Sequence, residues 1–304
     1  MNSFSRLEAT FTSFREQCSA WVYRPTVASD ERMPVVVLAN GFGGHKGIRL
    51  HAFAERFAAA GLVAVAFDFR SFGASGGTPR HMLSIRGQRA DWDAAVGFVR
   101  SLDYVDPARV GAWGTSLSGG HVLELAARDR ELAAVVAQVP HVSGLAAARS
   151  VGFRASARLS RVAVADVVAG VRGTAPVYVP VCGEPGDTAF LTSPDAPAGF
   201  ERILAASEGP TDDNTVGARA ALAMPGFSPN RRARDITCPV LMQIGSQDVV
   251  TPVAASRRCA ERIARVEVRE YDCEHFAPYV DPWFERFVHD QVEFFVRTLA
   301  TSTI

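Results

Sequence analysis

No long apolar run interrupts this 304-residue sequence, and that absence constrains it before any motif is read. No segment approaches the roughly 18 or more apolar residues of a membrane span. The first residues, MNSFSRLEATF, lack a basic stretch followed by an apolar one, so the expectation is a cytoplasmic protein with no membrane partner. Net charge is missing too. The 32 Lys plus Arg balance 32 Asp plus Glu, leaving no overall field to favour nucleic acid, an anionic membrane surface or a strongly charged substrate. Cysteine is sparse: Cys18, Cys182, Cys238, Cys259 and Cys273 are scattered and odd in number, without C-x-x-C spacing. They read as buried free thiols rather than a zinc site, a redox pair or a nucleophile. The chain also lacks a G-x-G-x-x-G loop, a Walker lysine pattern, internal repeats and low-complexity tracts. No cofactor and no metal are expected.

What is present is core material. Hydrophobic residues make up 48% and charged residues 21%, a soluble globular balance at a length that suits one large domain with an insertion. Short apolar runs at Met33 to Asn40, Leu62 to Phe69, Val110 to Gly114, Leu132 to Val139, Pro239 to Gly245 and Val266 to Tyr271 read as strands. Helical stretches lie between them, at His51 to Ala60, Gln88 to Leu102 and Leu117 to Ala127, with a closing amphipathic helix at Trp283 to Leu299. This alternation predicts an α/β fold with a mainly parallel sheet covered on both faces. The first thirty residues alternate in polarity and predict an antiparallel edge hairpin. From about His141 to Asp235 the rhythm breaks into Ala-, Arg- and Val-rich helices punctuated by Pro and Gly. The expected organisation is therefore a core of residues 1–140 and 236–304 with residues 141–235 inserted as a lid over a pocket.

The chemistry begins after the strand VGAWG, where T-S-L-S-G-G leads into a helix. A serine hydroxyl is a weak nucleophile and must be held exposed beside a base and near donors for a developing oxyanion. A tight strand-to-helix turn does this, provided the residues two places either side are small. Gly114 and Ser118 flank Ser116 at those positions. Gly114-Thr115-Ser116-Leu117-Ser118 thus resembles the nucleophile elbow of the α/β-hydrolase superfamily, with Ser118 replacing the usual second glycine. The competing readings are an ordinary N-cap serine and Ser118 as nucleophile.

The resemblance implies a triad in the order Ser, then Asp or Glu, then His. Asp248 follows the strand PVLMQIG, and His275 lies in the loop YDCEHF before the last helix. Asp272 and Glu274 are rival carboxylates in the histidine's own loop. The resemblance also implies an oxyanion hole from the backbone N–H of Leu117 and of Phe42, the latter in Asn40-Gly41-Phe42-Gly43-Gly44, which resembles the family's H-G-x-x-G loop with Asn40 for histidine. Asp68 to Gly77, DFRSFGASGG, resembles the family's following loop, in which Asp68 and Arg70 brace the turn. The likeness spans about residues 33 to 140 and 236 to 299 and is closest to the dienelactone-hydrolase-like and serine-aminopeptidase-like branches. Of the remaining histidines, His121 is expected to pack structurally, His51, His81 and His289 to hold surface or helix positions, and His45 and His141 to line the pocket.

The implied activity is cleavage of a carboxylic ester or lactone of a largely apolar small molecule through an acyl-enzyme on Ser116. An acyltransferase or thioesterase in a biosynthetic pathway uses the same chemistry, and a non-catalytic hydrolase-fold binding protein is the remaining alternative. The partner is a small ester, lactone or acyl substrate. Homodimerisation is left open.

Overall fold

The computed structural model describes residues 3–26, 31–209 and 214–300. An eight-stranded sheet runs through it. Its strands are β1 (Phe4–Ser13), β2 (Glu16–Pro25), β3 (Met33–Ala39), β4 (Val63–Phe67), β5 (Val105–Thr115), β6 (Ala134–Gln138), β9 (Val240–Gly245) and β10 (Val266–Tyr271), with β7 (Tyr178–Pro180) and β8 (Thr215–Gly217) forming a separate antiparallel pair. The helices are α1 (Leu50–Ala59), α2 (Ile85–Arg100), α3 (Leu117–Ala126), α4 (Gly144–Val151), α5 (Phe153–Val171), α6 (Ala196–Ala205), α7 (Ala220–Ala223), α8 (Val253–Ala260) and α9 (Trp283–Leu299).

The sheet order is β1-β2-β4-β3-β5-β6-β9-β10. From β4 to β10 every pairing is parallel. The predicted hairpin forms, but of its two strands β1 alone is an edge, because β2 also pairs antiparallel with β4. The central strands are apolar on both faces, as burial under helices on both sides requires: β4, β6 and β9 have no exposed residue. One layer of the core packs α2 and α3 against the sheet through Trp92, Val96 and Leu123. The other packs α1 and α9 through Phe53, Phe57, Phe294 and Phe295 around Trp113.

Two glutamines interrupt the apolar strands where the sheet meets α9. Gln138 of β6 and Gln243 of β9 are fully buried, and both carbonyl oxygens accept from the Gln291 amide of α9, at 2.8 and 2.6 Å. The Gln291 carbonyl accepts from the Trp113 indole at 2.9 Å, and the Gln138 amide donates to Thr115 at 3.1 Å. Thr115 in turn meets the Tyr279 hydroxyl at 2.6 Å. The chain of bonds ties the end of β5 to the segment that leads into α9.

A buried polar network is stable only while each member is satisfied. Gln291→Ala strands the Trp113 N–H and two glutamine carbonyls at once, so the unfolding free energy in a urea titration should fall by about 2–4 kcal/mol.

Candidate active site

The turn after β5 is built by close approach. Ser116, between β5 and α3, has φ 52° and ψ −117°, a conformation L-residues rarely adopt. It is held there from three sides: its N–H donates to the Gln138 carbonyl at 2.9 Å, and its own carbonyl accepts from His141 N–H at 2.8 Å and Gly120 N–H at 3.2 Å. A Cβ on Gly114 would collide with the Ser118 carbonyl, and one on Gly120 with the His141 carbonyl. Ser118 tolerates its side chain because it points into the interior, where its hydroxyl is buried without a partner. It is remote in role from Ser116, which reaches the cavity.

The three distant residues named from the sequence meet here. His275 Nε2 lies 3.1 Å from Ser116 Oγ, and His275 Nδ1 lies 2.6 Å from Asp248 Oδ2. Asp248 and His275 are both buried. Thr251, which the sequence reading did not single out, fixes the carboxylate: its hydroxyl donates to Oδ2 at 2.6 Å, and the amides of Val250 and Thr251 donate to Oδ1 at 2.8 and 2.7 Å. Amides two and three residues after an aspartate are the partners such a side chain takes in a turn, so the D-x-x-T spacing was a usable signal. The rival carboxylates are engaged elsewhere. Asp272 accepts from Gln247 at 2.8 Å and from Ser246 at 3.2 Å, and Glu274 pairs with Arg202 at 2.9 Å.

The loop after β3 packs directly on the serine: a Cβ added to Gly41 would sit 3.0 Å from Ser116 Cβ. Asn40 shapes this loop. Its amide donates to the carbonyls of His45 and Ile48 at 3.0 and 2.7 Å, and its side-chain oxygen accepts from Gly41 N–H at 2.9 Å. Phe42 and Leu117 flank Ser116 on the cavity wall, and among the described residues neither backbone N–H is taken up by a protein acceptor. Two donors are thus left beside the hydroxyl. Asp68 anchors the far end of the loop, accepting from Lys46 N–H at 2.5 Å, Lys46 Nζ at 2.6 Å and Ala74 N–H at 2.9 Å. Lys46, the sequence's single lysine, is 4% exposed in this pair. Arg70 braces a different contact, to Asp91 at 2.6 Å.

Ser116 opens on a cavity of about 420 Å³, within the range of roughly 300–1,000 Å³ usual for small-molecule sites. Phe42, Leu117, Leu159, Phe190, Met224 and Val250 give it an apolar wall, and Ser150, Ser156, Ser160, Thr192 and Ser193 add hydroxyls. Among the described residues, no Asp, Glu, Lys or Arg lines it. A second hollow of about 40 Å³, beyond Phe42, touches Ser116 and His275. His141 lines the main cavity as expected, whereas His45 does not and instead meets the Gly47 amide through Nδ1 at 3.1 Å. The five thiols are free and buried, and burial pushes each up to about 11 or 12, so none is a competing nucleophile. On the outer side of α9, His289, Asp290 and Glu293 bring ligand-type atoms within 4.8 Å of one another, but the Asp290 carboxylate already accepts from the Tyr271 hydroxyl at 2.6 Å.

A family model described as Serine aminopeptidase, S33, matches residues 30–276. The chain belongs to this family. It is 40% identical to the Quorum-quenching protein AidA of Acinetobacter baumannii over 96% of this chain and 94% of that protein. It is 33% identical to the Monoacylglycerol lipase of Mycolicibacterium smegmatis over 77% of each. The crystal structure of hypothetical protein PA2218 from Pseudomonas aeruginosa superposes with a TM-score of 0.82 at 21% identity, covering 98% of this chain and 95% of that one. The fold is that of an α/β hydrolase, as the elbow suggested.

Two histidines behind the serine make its surroundings acid-sensitive. His121 and His141 pack on Phe227 at ring separations of 4.7 and 5.9 Å, and burial lowers them to about 3 and about 4. His121 Nε2 lies 2.9 Å from Gln88 Oε1, and its Nδ1 has no partner. Both rings stay neutral in the folded state while their unfolded counterparts take up protons below about pH 6.5. Stability is therefore full above that pH and is lost as pH falls toward about 4. Unfolding near pH 5 should take up about two protons from these rings, measured as the pH slope of the urea-unfolding free energy, and about one in His121→Gln.

Proposed function

We infer that the protein is a serine hydrolase that cleaves a carboxylic ester or lactone of an uncharged, largely apolar small molecule. The observation that carries this reading is the line Ser116–His275–Asp248 opening on a cavity that no charged side chain lines among the described residues. Ser116 Oγ attacks the carbonyl carbon as His275 Nε2 takes its proton, and Asp248 holds the other ring nitrogen as a donor. The carbonyl oxygen, now negative, receives the N–H groups of Phe42 and Leu117. Collapse expels the alcohol with the proton returned from His275, leaving an acyl-Ser116 that water then hydrolyses by the same route. In a lactone the expelled alcohol stays attached to the acyl group. Residues 141–235 act in this reading as a lid over the core of residues 1–140 and 236–304, since they supply much of the cavity wall.

The family model carries an aminopeptidase name, yet among the described residues the cavity offers a peptide's free ammonium no carboxylate, and burying it unpaired is costly. The relative named as a monoacylglycerol lipase points instead to a neutral ester with an apolar chain. Acyl transfer or thioester cleavage would draw on the same acyl-enzyme, and substrate comparison separates them.

p-Nitrophenyl esters of graded chain length should be turned over, and Ser116→Ala should reduce turnover by about 10⁴-fold or more while the fold is kept. Inert esters beside rapidly cleaved acyl thioesters would overturn the assignment. Asn40→Ala frees the loop that presents the Phe42 amide, so kcat should fall by about 10- to 100-fold with KM little changed, the signature of a donor lost mainly in the transition state.

A further inference from the structure

The whole-chain charge balance conceals a local separation. Residues 144–172, spanning α4 and α5, contain five arginines, Arg149, Arg154, Arg158, Arg161 and Arg172, and a single acid, Asp166. Asp166 is fully buried and committed to Arg219 at 2.8 Å, with the Arg219 and Val177 amides also donating to it. All five arginines are exposed, and none makes an ion pair among the described residues.

The same surface exposes apolar side chains. Phe153 is 87% exposed and Val171 85%, with Val164, Val167 and Val168 also exposed. At about 100° per residue, Phe153, Val164, Val167, Val168 and Val171 fall on one arc of α5. Arg154, Arg158, Arg161 and Arg172 fall on the adjoining arc. The side turned away from both arcs is buried, with Leu159 on the cavity and Asp166 and Ala163 in the interior, while Ser156 and Ser160, at the edge of the apolar arc, also line the cavity. The outer face is thus half apolar and half cationic, the pattern of a helix lying in a lipid–water interface.

We propose that the outer face of α4 and α5 docks on an anionic lipid surface. The apolar arc enters the acyl boundary while the arginines meet headgroup phosphates, which take guanidinium in paired hydrogen bonds. A second copy of the chain fits less well, because a two-fold contact through this face would set unpaired arginines against one another. The cavity wall reaches the surface next to this face, since Val151 of α4 lines the cavity and is 46% exposed.

Vesicle co-sedimentation of the full chain tests this without any measure of activity. The protein should pellet with phosphatidylcholine vesicles containing about one-third phosphatidylglycerol and not with phosphatidylcholine alone, and about 0.5 M salt should release much of it. Combined Arg154→Ala, Arg158→Ala and Arg161→Ala should weaken partitioning by about 100-fold, at roughly five-fold per charge removed. Phe153→Ser with Val171→Ser should weaken it by about ten-fold or more. Thermal unfolding should be unchanged in both variants, since these side chains stand in solvent. No binding to anionic vesicles, or binding indifferent to both sets of substitutions, overturns the proposal. So does a dimer in sedimentation velocity that Phe153→Ser with Val171→Ser dissociates while wild type ignores vesicles; that result assigns the face to a second copy.

Discussion

Everything at the candidate site depends on how closely two pieces of backbone approach at the end of β5. Gly114 lies against the carbonyl of Ser118, and Ser116 takes a left-handed φ that sets its hydroxyl at the cavity floor. A strained residue of this kind costs on the order of 1–3 kcal/mol and persists only where its surroundings leave no alternative. Here those surroundings are the Gln138 carbonyl and the amides of Gly120 and His141, so β6 and α3 together hold the serine in place. The glutamine cluster beneath extends that support to α9 and, through Tyr279, to the segment just after His275.

The site and its cover handle charge in opposite ways. Around the serine, ionic groups are buried only in pairs: Lys46 with Asp68 behind the Asn40 loop, and Asp248 against an imidazole. Each pair fixes a loop, and neither projects charge into the cavity. On α5 the arginines stand unpaired toward solvent, among the described residues. An uncharged interior beneath a cationic, partly apolar cover suits a molecule that is itself neutral and partly apolar.

Much of this was legible in the sequence because it is local. β10 and α9 were read residue for residue, and the elbow, Asp248 and His275 stand out because each follows an apolar strand in the right order. The unread parts rest on partners far apart in the chain. Gln138 and Gln243 look like breaks in apolar strands until Gln291, more than forty residues from either, completes them. The β7–β8 pair is three residues per strand and carries no pattern of its own, since it is placed by long-range contacts such as the Gly217 amide to the His81 carbonyl. His45 was expected in the cavity, but its ring turns back to its own loop, where Nδ1 accepts from the Gly47 amide. The charge of α5 vanished in a total that averages the whole chain.

The burial of Lys46 carries a practical corollary. The only side-chain primary amine in the sequence lies under the loop after β3, sealed by Asp68, Ser19 and the face of Trp21. Succinimidyl dyes, which need a primary amine, would find no lysine on the folded surface. Modification of residue 46 would instead report that the loop beside the serine had come away.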